Sequence, residues 1–142
     1  VEAFAIRAIP LPKGWGVASY AVGLAHREYE LTPGATFAGA GLAWGMDIDK
    51  SWLATELQVL TDIETYQSEA KFDVTYGYHL NDRWAAMVQL QTGQGQTGDS
   101  YAKLAPSAIY QVNDRLRLNM GLTQGLTGDR GTGLFFGSWL DY

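Results

Sequence analysis

The side chains that could do chemistry in this chain are charged groups at alternate positions between apolar residues. Five of them fall on one face of the predicted strands: Glu56, Lys71, Asp73, Lys103 and Arg117. Ionised groups that share an enclosed surface must find partners of opposite charge, because an isolated buried charge is strongly destabilising. We therefore predict one ion-pair network from these five groups. Its acidic members, Glu56 and Asp73, lie near mid-height of the strands and share Lys103 and Arg117.

Four further charges fall beside the short turns at one end of the predicted strands: Asp47, Arg83, Arg115 and Asp141. Together with the first five groups they have two interpretations. They form either a fixed network that fills the interior of the fold, or a gate that rearranges and leaves a narrow polar path. The interior of a narrow closed sheet is filled by its own side chains, which favours the fixed network.

The chain offers no residue set for catalysis or metal binding. Neither His26 nor His79 has a serine at a neighbouring alternate position, as a His–Ser pair on one strand face would need. There are no cysteines, which excludes thiolate ligands and disulfides. Asp99 and Asp129 end Thr-Gly-Asp segments that indicate turns rather than calcium ligands. We therefore expect a protein that is not an enzyme and binds no cofactor or metal.

The elements that position these groups are strands with two chemically different faces. From residue 70 to residue 126 apolar and polar residues alternate with a period of two, which is typical of such strands. The turn Asn81-Asp82-Arg83 recurs at positions 113–115 as Asn-Asp-Arg, 32 residues later. A repeat of this length holds two strands, one short turn and one loop, so we interpret it as one hairpin of a meander.

The same pattern predicts eight strands after residue 14. They are residues 15–29, 36–48, 52–62, 70–80, 83–92, 101–112, 115–126 and 133–142. Residues 1–14 alternate only briefly before Pro10 and Pro12, so we predict a tail or a partial strand there. A partial strand would imply a ten-stranded barrel, and a third alternative is a segment inside the barrel. Pro106 interrupts a predicted strand, and its missing N–H predicts a β-bulge.

The composition indicates which face meets the solvent. Only 18% of the residues are charged, whereas there are 17 glycines and five tryptophans, and a soluble β domain normally covers its outside with more charge. The polar face is mostly small or neutral, which suits a narrow interior. Aromatic residues cluster at the short-turn ends of the apolar face, as in the interfacial girdle of a membrane barrel: Trp44, Tyr78, Trp84, Tyr110 and Tyr142. The predicted strands are also long enough for a tilted bilayer crossing, which needs about 9–11 residues.

The last predicted strand places Leu134, Phe136, Leu140 and Tyr142 at alternate positions, interrupted by Ser138. This pattern resembles the C-terminal signature of bacterial outer-membrane barrels. With eight strands, short turns at one end and longer loops at the other, residues 15–142 resemble the small barrels of the OmpA/OmpX type. The resemblance implies a closed, antiparallel, up-and-down transmembrane β-barrel in the bacterial outer membrane. It also implies that the barrel-assembly machinery recognises the last strand.

We therefore expect an integral outer-membrane protein of the Gram-negative cell envelope, with a filled or narrow polar lumen and a structural or surface role. Its partner is the lipid bilayer, and a net charge of −5 argues against nucleic acid. Two alternatives stay open. One is a porin-like small-solute pore or transporter, and the other is a soluble, lipocalin-like barrel whose apolar face surrounds a ligand. Nothing in the sequence identifies a ligand or an oligomeric state.

Overall fold

The fold is one antiparallel sheet, described by a computed structural model over residues 2–29, 32–128 and 130–140. These residues contain nine strands and no helix. The strands are β1 (Glu2–Ile9), β2 (Val17–Tyr29), β3 (Thr32–Ile48), β4 (Ser51–Asp62), β5 (Ser68–His79), β6 (Trp84–Gln94), β7 (Ser100–Gln111), β8 (Leu116–Thr127) and β9 (Thr132–Leu140). The prediction of an all-β, up-and-down fold is confirmed. Asp141 and Tyr142, predicted as an inner charge and a girdle ring, lie outside the described residues.

The strands follow one another across the sheet in chain order, from β1 to β9. Every neighbouring pair is antiparallel and consecutive in sequence. β1 and β9 form the two edges, and within the described residues they do not pair with each other. The sheet is therefore open along one side.

Short turns join strands at one end of the sheet, which we call the short-turn end. The β3–β4 turn consists of Asp49 and Lys50 alone, because Ile48 pairs directly with Ser51. Asp49 has a φ of 54°, the left-handed conformation that two-residue hairpin turns favour. The five-residue connections 63–67 and 95–99 lie at the opposite end, which we call the loop end. The seven-residue connection 10–16 lies at the short-turn end.

The predicted repeat of Asn-Asp-Arg is a repeated turn. In the β5–β6 turn the Oδ1 atom of Asn81 accepts hydrogen bonds from the backbone N–H groups of residues 83 and 84, at 2.9 and 3.0 Å. In the β7–β8 turn Asn113 Oδ1 accepts the corresponding bonds from residues 115 and 116, both at 2.9 Å. An asparagine side chain that satisfies two backbone donors fixes a tight turn at each place.

The two faces of the sheet differ in burial. All eight buried non-glycine residues of the described chain lie on one face, which we call the inner face: Ala25, Phe37, Leu60, Asp62, Asp73, Ala85, Ala105 and Asn119. A cavity on this face is lined jointly by Asp47 of β3 and Arg117 of β8, five strands apart. The sheet therefore curls around the inner face, as the sheet of a barrel does.

Large apolar side chains lie on the opposite, outer face and are exposed. Fourteen of them, at least one in each strand from β2 to β9, have exposed fractions of 36–87%: Val22, Leu24, Leu42, Leu57, Val59, Phe72, Tyr76, Val88, Leu90, Leu104, Met120, Leu122, Leu134 and Phe136. The exposed large apolar residues of β2 to β9 are thus mostly outside, whereas the inner face combines small, polar and charged residues with a few large apolar side chains such as Phe37 and Leu60.

β1 lies within residues 1–14, for which the sequence predicts a tail or a partial strand. It pairs with β2 over all of its residues, and the two prolines follow it, in the connection 10–16. Its polarity is opposite to that of the other strands. The register places Phe4 and Ile6 on the inner face, beside Gly23 and Ala21, where they are 62% and 64% exposed.

The prolines perturb the sheet differently from the prediction. Pro106 pairs with Val88 in an unshifted register, and the register of β7 with β8 is the same on both sides of Pro106, so the bulge predicted there is absent. The irregularity of this strand pair lies instead at residues 102 and 103. Pro33 lies within β3, opposite a register shift between Arg27 and Tyr29 of β2, because a bulge accommodates a residue without an N–H donor.

Candidate functional site

The candidate site is the charged part of the inner face. One row of paired residues crosses five strands at mid-height: Ala43, Glu56, Asp73, Gln91 and Lys103. Because paired residues of antiparallel strands share a face, the two predicted acidic groups lie side by side. Lys103 lies in the same row, two strands from Asp73.

Asp73 is the buried member of this row. Its Oδ2 atom lies 2.9 Å from Nζ of Lys71, two residues earlier on the same strand, with side-chain exposures of 7% and 46%. Its Oδ1 atom is buried without a hydrogen-bond partner in the described chain, as are the side-chain oxygens of Ser107 and Asn119. One carboxylate oxygen of Asp73 therefore contacts a cation, and the other has no hydrogen-bond partner within the described residues.

The structure distributes the predicted network over two heights. Lys71 is the cation that contacts Asp73, whereas Nζ of Lys103 lies 5.9 Å from the ring centre of Tyr101. Arg117 is the second residue of β8 and pairs with Gln111 near the short-turn end. The register places the five groups on the inner face, whereas alternation within one strand contains no information on the height of each group along that strand.

The short-turn end has a polar cavity of about 260 Å³. Asp47, Arg83 and Arg117 contribute to its lining, together with His79. The ring of His79 lies 4.9 Å from that of Trp52, centre to centre. Of the predicted short-turn charges, the structure thus brings Asp47 and Arg83 to one cavity with Arg117. Arg115 is exposed in the adjacent turn.

Two further cavities, each of about 450 Å³, lie over the first strands of the sheet. Small inner residues of β2 and β3, such as Ala21 and Gly41, line the first, and Ser19 and Ala43 line both. Glu56 also lines both cavities. The two cavities thus adjoin the same carboxylate.

Elsewhere the inner face is filled by rings that lie over glycines of the neighbouring strand, a feature that the sequence analysis missed. A Cβ at Gly77 would overlap the ring of Trp52. Cβ atoms at Gly93 and Gly121 would come within 2.6 Å of the rings of Tyr101 and Phe135. The sequence signal was the pairing of glycines with large residues across strands, which becomes visible only once the register is known.

Four of the predicted girdle residues lie on the outer face near the short-turn end. The rings of Trp84 and Tyr110 are paired across β6 and β7, with centres 4.7 Å apart. Nε1 of Trp44 donates a hydrogen bond of 2.8 Å to the carbonyl oxygen of Trp15 in the 10–16 connection. Tyr78 is 42% exposed. These rings combine apolar surface with polar atoms at one end of the sheet.

At the loop end, Asp62 organises the β4–β5 connection. It lies beyond Val59, the last exposed apolar residue on the outer face of β4. Its Oδ1 accepts backbone hydrogen bonds from Glu64 at 2.8 Å and Thr65 at 3.2 Å. The hydrogen bond from Glu64 has the largest effect on the pKa of Asp62. Together the two bonds lower that pKa below its ordinary value.

Comparison with known proteins adds no functional assignment, since no family model, curated protein or solved structure matches the chain. In the described residues no helix has the length and apolar character needed to cross a membrane. The same residues bring no three histidine or acidic side chains into a group that could hold a metal ion.

Proposed function

We propose that this chain is the membrane-spanning sheet of an integral bacterial outer-membrane β-barrel protein. Its lumen is filled or narrow and polar, and its role is structural or at the cell surface. Lipid covers the outer face, the barrel-assembly machinery receives the last strand, and the protein catalyses no reaction. The proposal also includes closure of the sheet into a barrel.

The observation that carries the proposal is the exposed apolar outer face. Soluble monomers rarely expose contiguous apolar patches larger than a few hundred Å², whereas here every strand from β2 to β9 contributes to one. A bilayer is the surrounding in which this surface is stable, and a soluble ligand-binding barrel needs the opposite arrangement.

The girdle and the inner face support the same proposal. Trp84 and Tyr110 end the apolar band on the outer face with amphipathic rings, which is where a membrane meets water. Asp73 and Lys71 form their ion pair on the inner face, away from the lipid. Ionisable groups of membrane proteins face an interior and pair with one another.

Folding behaviour on a gel tests the proposal. We expect the chain to be insoluble in plain buffer, to refold in detergent or lipid, and to migrate differently in SDS with and without boiling. Mobility that boiling does not change, together with a monodisperse protein in detergent-free buffer, would contradict the proposal and favour the soluble barrel.

A small-solute pore is the second candidate function, favoured by the two cavities that share Glu56. In planar bilayers a pore would give discrete conductance steps, and Glu56→Gln would lower its preference for cations. The matched control is Glu64→Gln in the exposed β4–β5 connection. A heat-modifiable barrel without conductance would exclude the pore and leave the structural role.

A further inference from the structure

The two edges of the sheet run in the same direction. β1 begins at the loop end and reaches the short-turn end at Ile9, and β9 begins at the loop end at Thr132 and also runs to the short-turn end. Nine strands that alternate in direction necessarily give parallel edges. Direct pairing of β1 with β9 would therefore create a single parallel seam in an otherwise antiparallel sheet.

Both edges of the sheet have unpaired backbone groups. On β1 and β9, the N–H and C=O groups that point away from the neighbouring strand, within the plane of the sheet, have no strand partner in the described residues. In lipid every unpaired backbone group costs several kcal/mol, so an open edge does not occur there. Bacterial barrels of a single chain accordingly have an even number of antiparallel strands.

The inner face is also incomplete beside β1. Phe4 and Ile6 point to this face and are 62% and 64% exposed, and they line a cavity of about 450 Å³. On the inner face of the neighbouring strand β2, the residues beside them are small, such as Gly23 and Ala21, and cannot cover the two side chains. β1 thus lacks a neighbour on the inner face, where its side chains should be covered.

We propose that one further amphipathic strand closes the sheet, running from the short-turn end to the loop end and pairing antiparallel with both β1 and β9. All eight existing neighbour pairs are consecutive in the chain, so this strand is adjacent in sequence either to β1 or to β9, and the fusion described below tests the place before β1. Its outward residues are apolar, and its inward residues are small, since Phe4 and Ile6 occupy the space beside them. The inference rests on the proposed function, because only lipid makes closure obligatory.

Cysteine pairs across the seam test the proposal in the chain as it exists, which has no native cysteine. Ala3→Cys or Ala5→Cys is combined with a cysteine at one of the outward β9 positions, Leu134, Phe136 or Ser138. The positive control is Ala5→Cys with Val22→Cys, which are register partners on β1 and β2. The proteins are refolded in detergent, oxidised and run on non-reducing gels.

We expect the control pair to form a disulfide and all seam pairs to remain reduced. The gap left for the further strand separates the Cα atoms of β1 and β9 by about two strand spacings, or about 9.5 Å, whereas a disulfide needs less than about 7 Å. A disulfide within one chain would overturn the proposal by showing direct β1–β9 pairing. A disulfide between two chains would overturn it by showing that a second copy covers the edge.

A fusion provides the complementary test. A second copy of residues 115–131, which contain β8 and the connection after it, is placed before Val1. If the copied strand pairs with β1 as β8 pairs with β9, the copied Gly121 faces Phe4, as Gly121 faces Phe135 in the sheet. The copied Met120 then faces Ala5 on the outer face. The control fusion exchanges neighbouring residues in the copied strand, so that its apolar face points inward.

In the fused chain, Met120→Cys in the copied strand should cross-link with Ala5→Cys, and in a separate variant with a cysteine on β9. The control fusion should form neither link. Equal cross-linking of both fusions, or none with β9, would contradict the proposal. These outcomes are distinct from failure of the proposed function, because heat-modifiable migration and detergent dependence are measured on the same samples.

Discussion

Lys71 and Asp73 show how an inner charge is held in this sheet. The carboxylate is buried, the ammonium group is nearly half exposed, and both lie on β5 two residues apart. The ion pair is therefore local and does not depend on closure of the sheet. It differs from the cross-sheet pairing with Lys103 and Arg117 that alternation alone suggested.

Removal of Lys71 should destabilise the fold more than removal of an exposed lysine. In Lys71→Met the buried carboxylate of Asp73 loses its contact at 2.9 Å, and we expect a loss of about 1–3 kcal/mol in the free energy of unfolding. Lys50→Met, in the β3–β4 turn, is the control and should change it by less than about 0.5 kcal/mol. Urea titration in detergent measures both variants. Adding Asp73→Asn to Lys71→Met should restore most of the loss, and an unchanged loss in the double variant would contradict this account.

The two Asn-centred turns make a second prediction at the residue scale. Asn81→Ala and Asn113→Ala each remove a side-chain oxygen that accepts two backbone hydrogen bonds. We expect each to cost about 1 kcal/mol, and the double variant about 2 kcal/mol, because distant sites contribute independently. Asn81→Asp retains an acceptor oxygen and should be nearly neutral. An alanine variant as stable as the aspartate variant would exclude the capping role.

At the scale of the strands, the packing of rings on glycines determines how the interior is filled. Trp52 occupies the space that a side chain at position 77 would need, and Tyr101 and Phe135 do the same at positions 93 and 121. An inward glycine in a strand thus has a packing role, although it lowers intrinsic strand stability. The two larger cavities lie over small inner residues of β2 and β3.

Two glycine substitutions on the inner face should have opposite outcomes. In Gly77→Ala the new methyl group would overlap the Trp52 ring, and we expect destabilisation of about 1–3 kcal/mol. In Gly137→Ala no atom of the described chain would lie within 4 Å of the new methyl group, so this change should be neutral or stabilising by up to about 1 kcal/mol. Chemical denaturation in detergent compares the two. Equal effects would show that the ring does not fix position 77.

Much of this element-level organisation was predictable from the sequence. Alternation located β2 to β9 to within a few residues, and the repeated Asn-Asp-Arg located two turns. The assignment of polar residues to the inner side also followed, because glycine and threonine rather than lysine and glutamate alternate with the apolar residues. Local pattern is sufficient where each strand has one apolar face.

Three features were not predictable, and the reason is the same in each case. For β1 the sequence predicts either a tail or a partial strand, and only pairing reveals that its apolar residues, Phe4 and Ile6, lie on the inner face beside small residues of β2. The partner of Asp73 and the height of Arg117 depend on the register between strands. Register and height are relations between distant segments, which a period-two pattern within one segment does not contain.

At the scale of the whole molecule, the apolar outer face determines the surroundings that the protein needs. In water, the burial of apolar surface drives folding, and each Å² buried contributes roughly 25 cal/mol to the free energy of folding. This sheet exposes such surface from β2 to β9, although it also buries a few apolar residues such as Phe37 and Leu60 together with Asp73 and Asn119. Under the proposed function lipid, rather than the protein itself, covers the exposed apolar residues.

Quenching of tryptophan fluorescence by brominated lipids tests this central claim most directly. Two single-tryptophan variants are made, with the other four tryptophans changed to phenylalanine. One retains Trp84 on the outer face and the other retains Trp52 on the inner face, both near the short-turn end. The proteins are refolded into vesicles with and without lipid that is brominated near the headgroup end of its chains.

The account predicts strong quenching of Trp84 and little quenching of Trp52. Because Trp84 and Trp52 lie near the same end of the sheet, a difference in their quenching shows which face of the sheet contacts lipid. Equal quenching of both residues, or quenching of Trp52 alone, would contradict the assignment of the outer face. Absence of quenching in both variants, with protein that remains in solution, would contradict the membrane barrel itself.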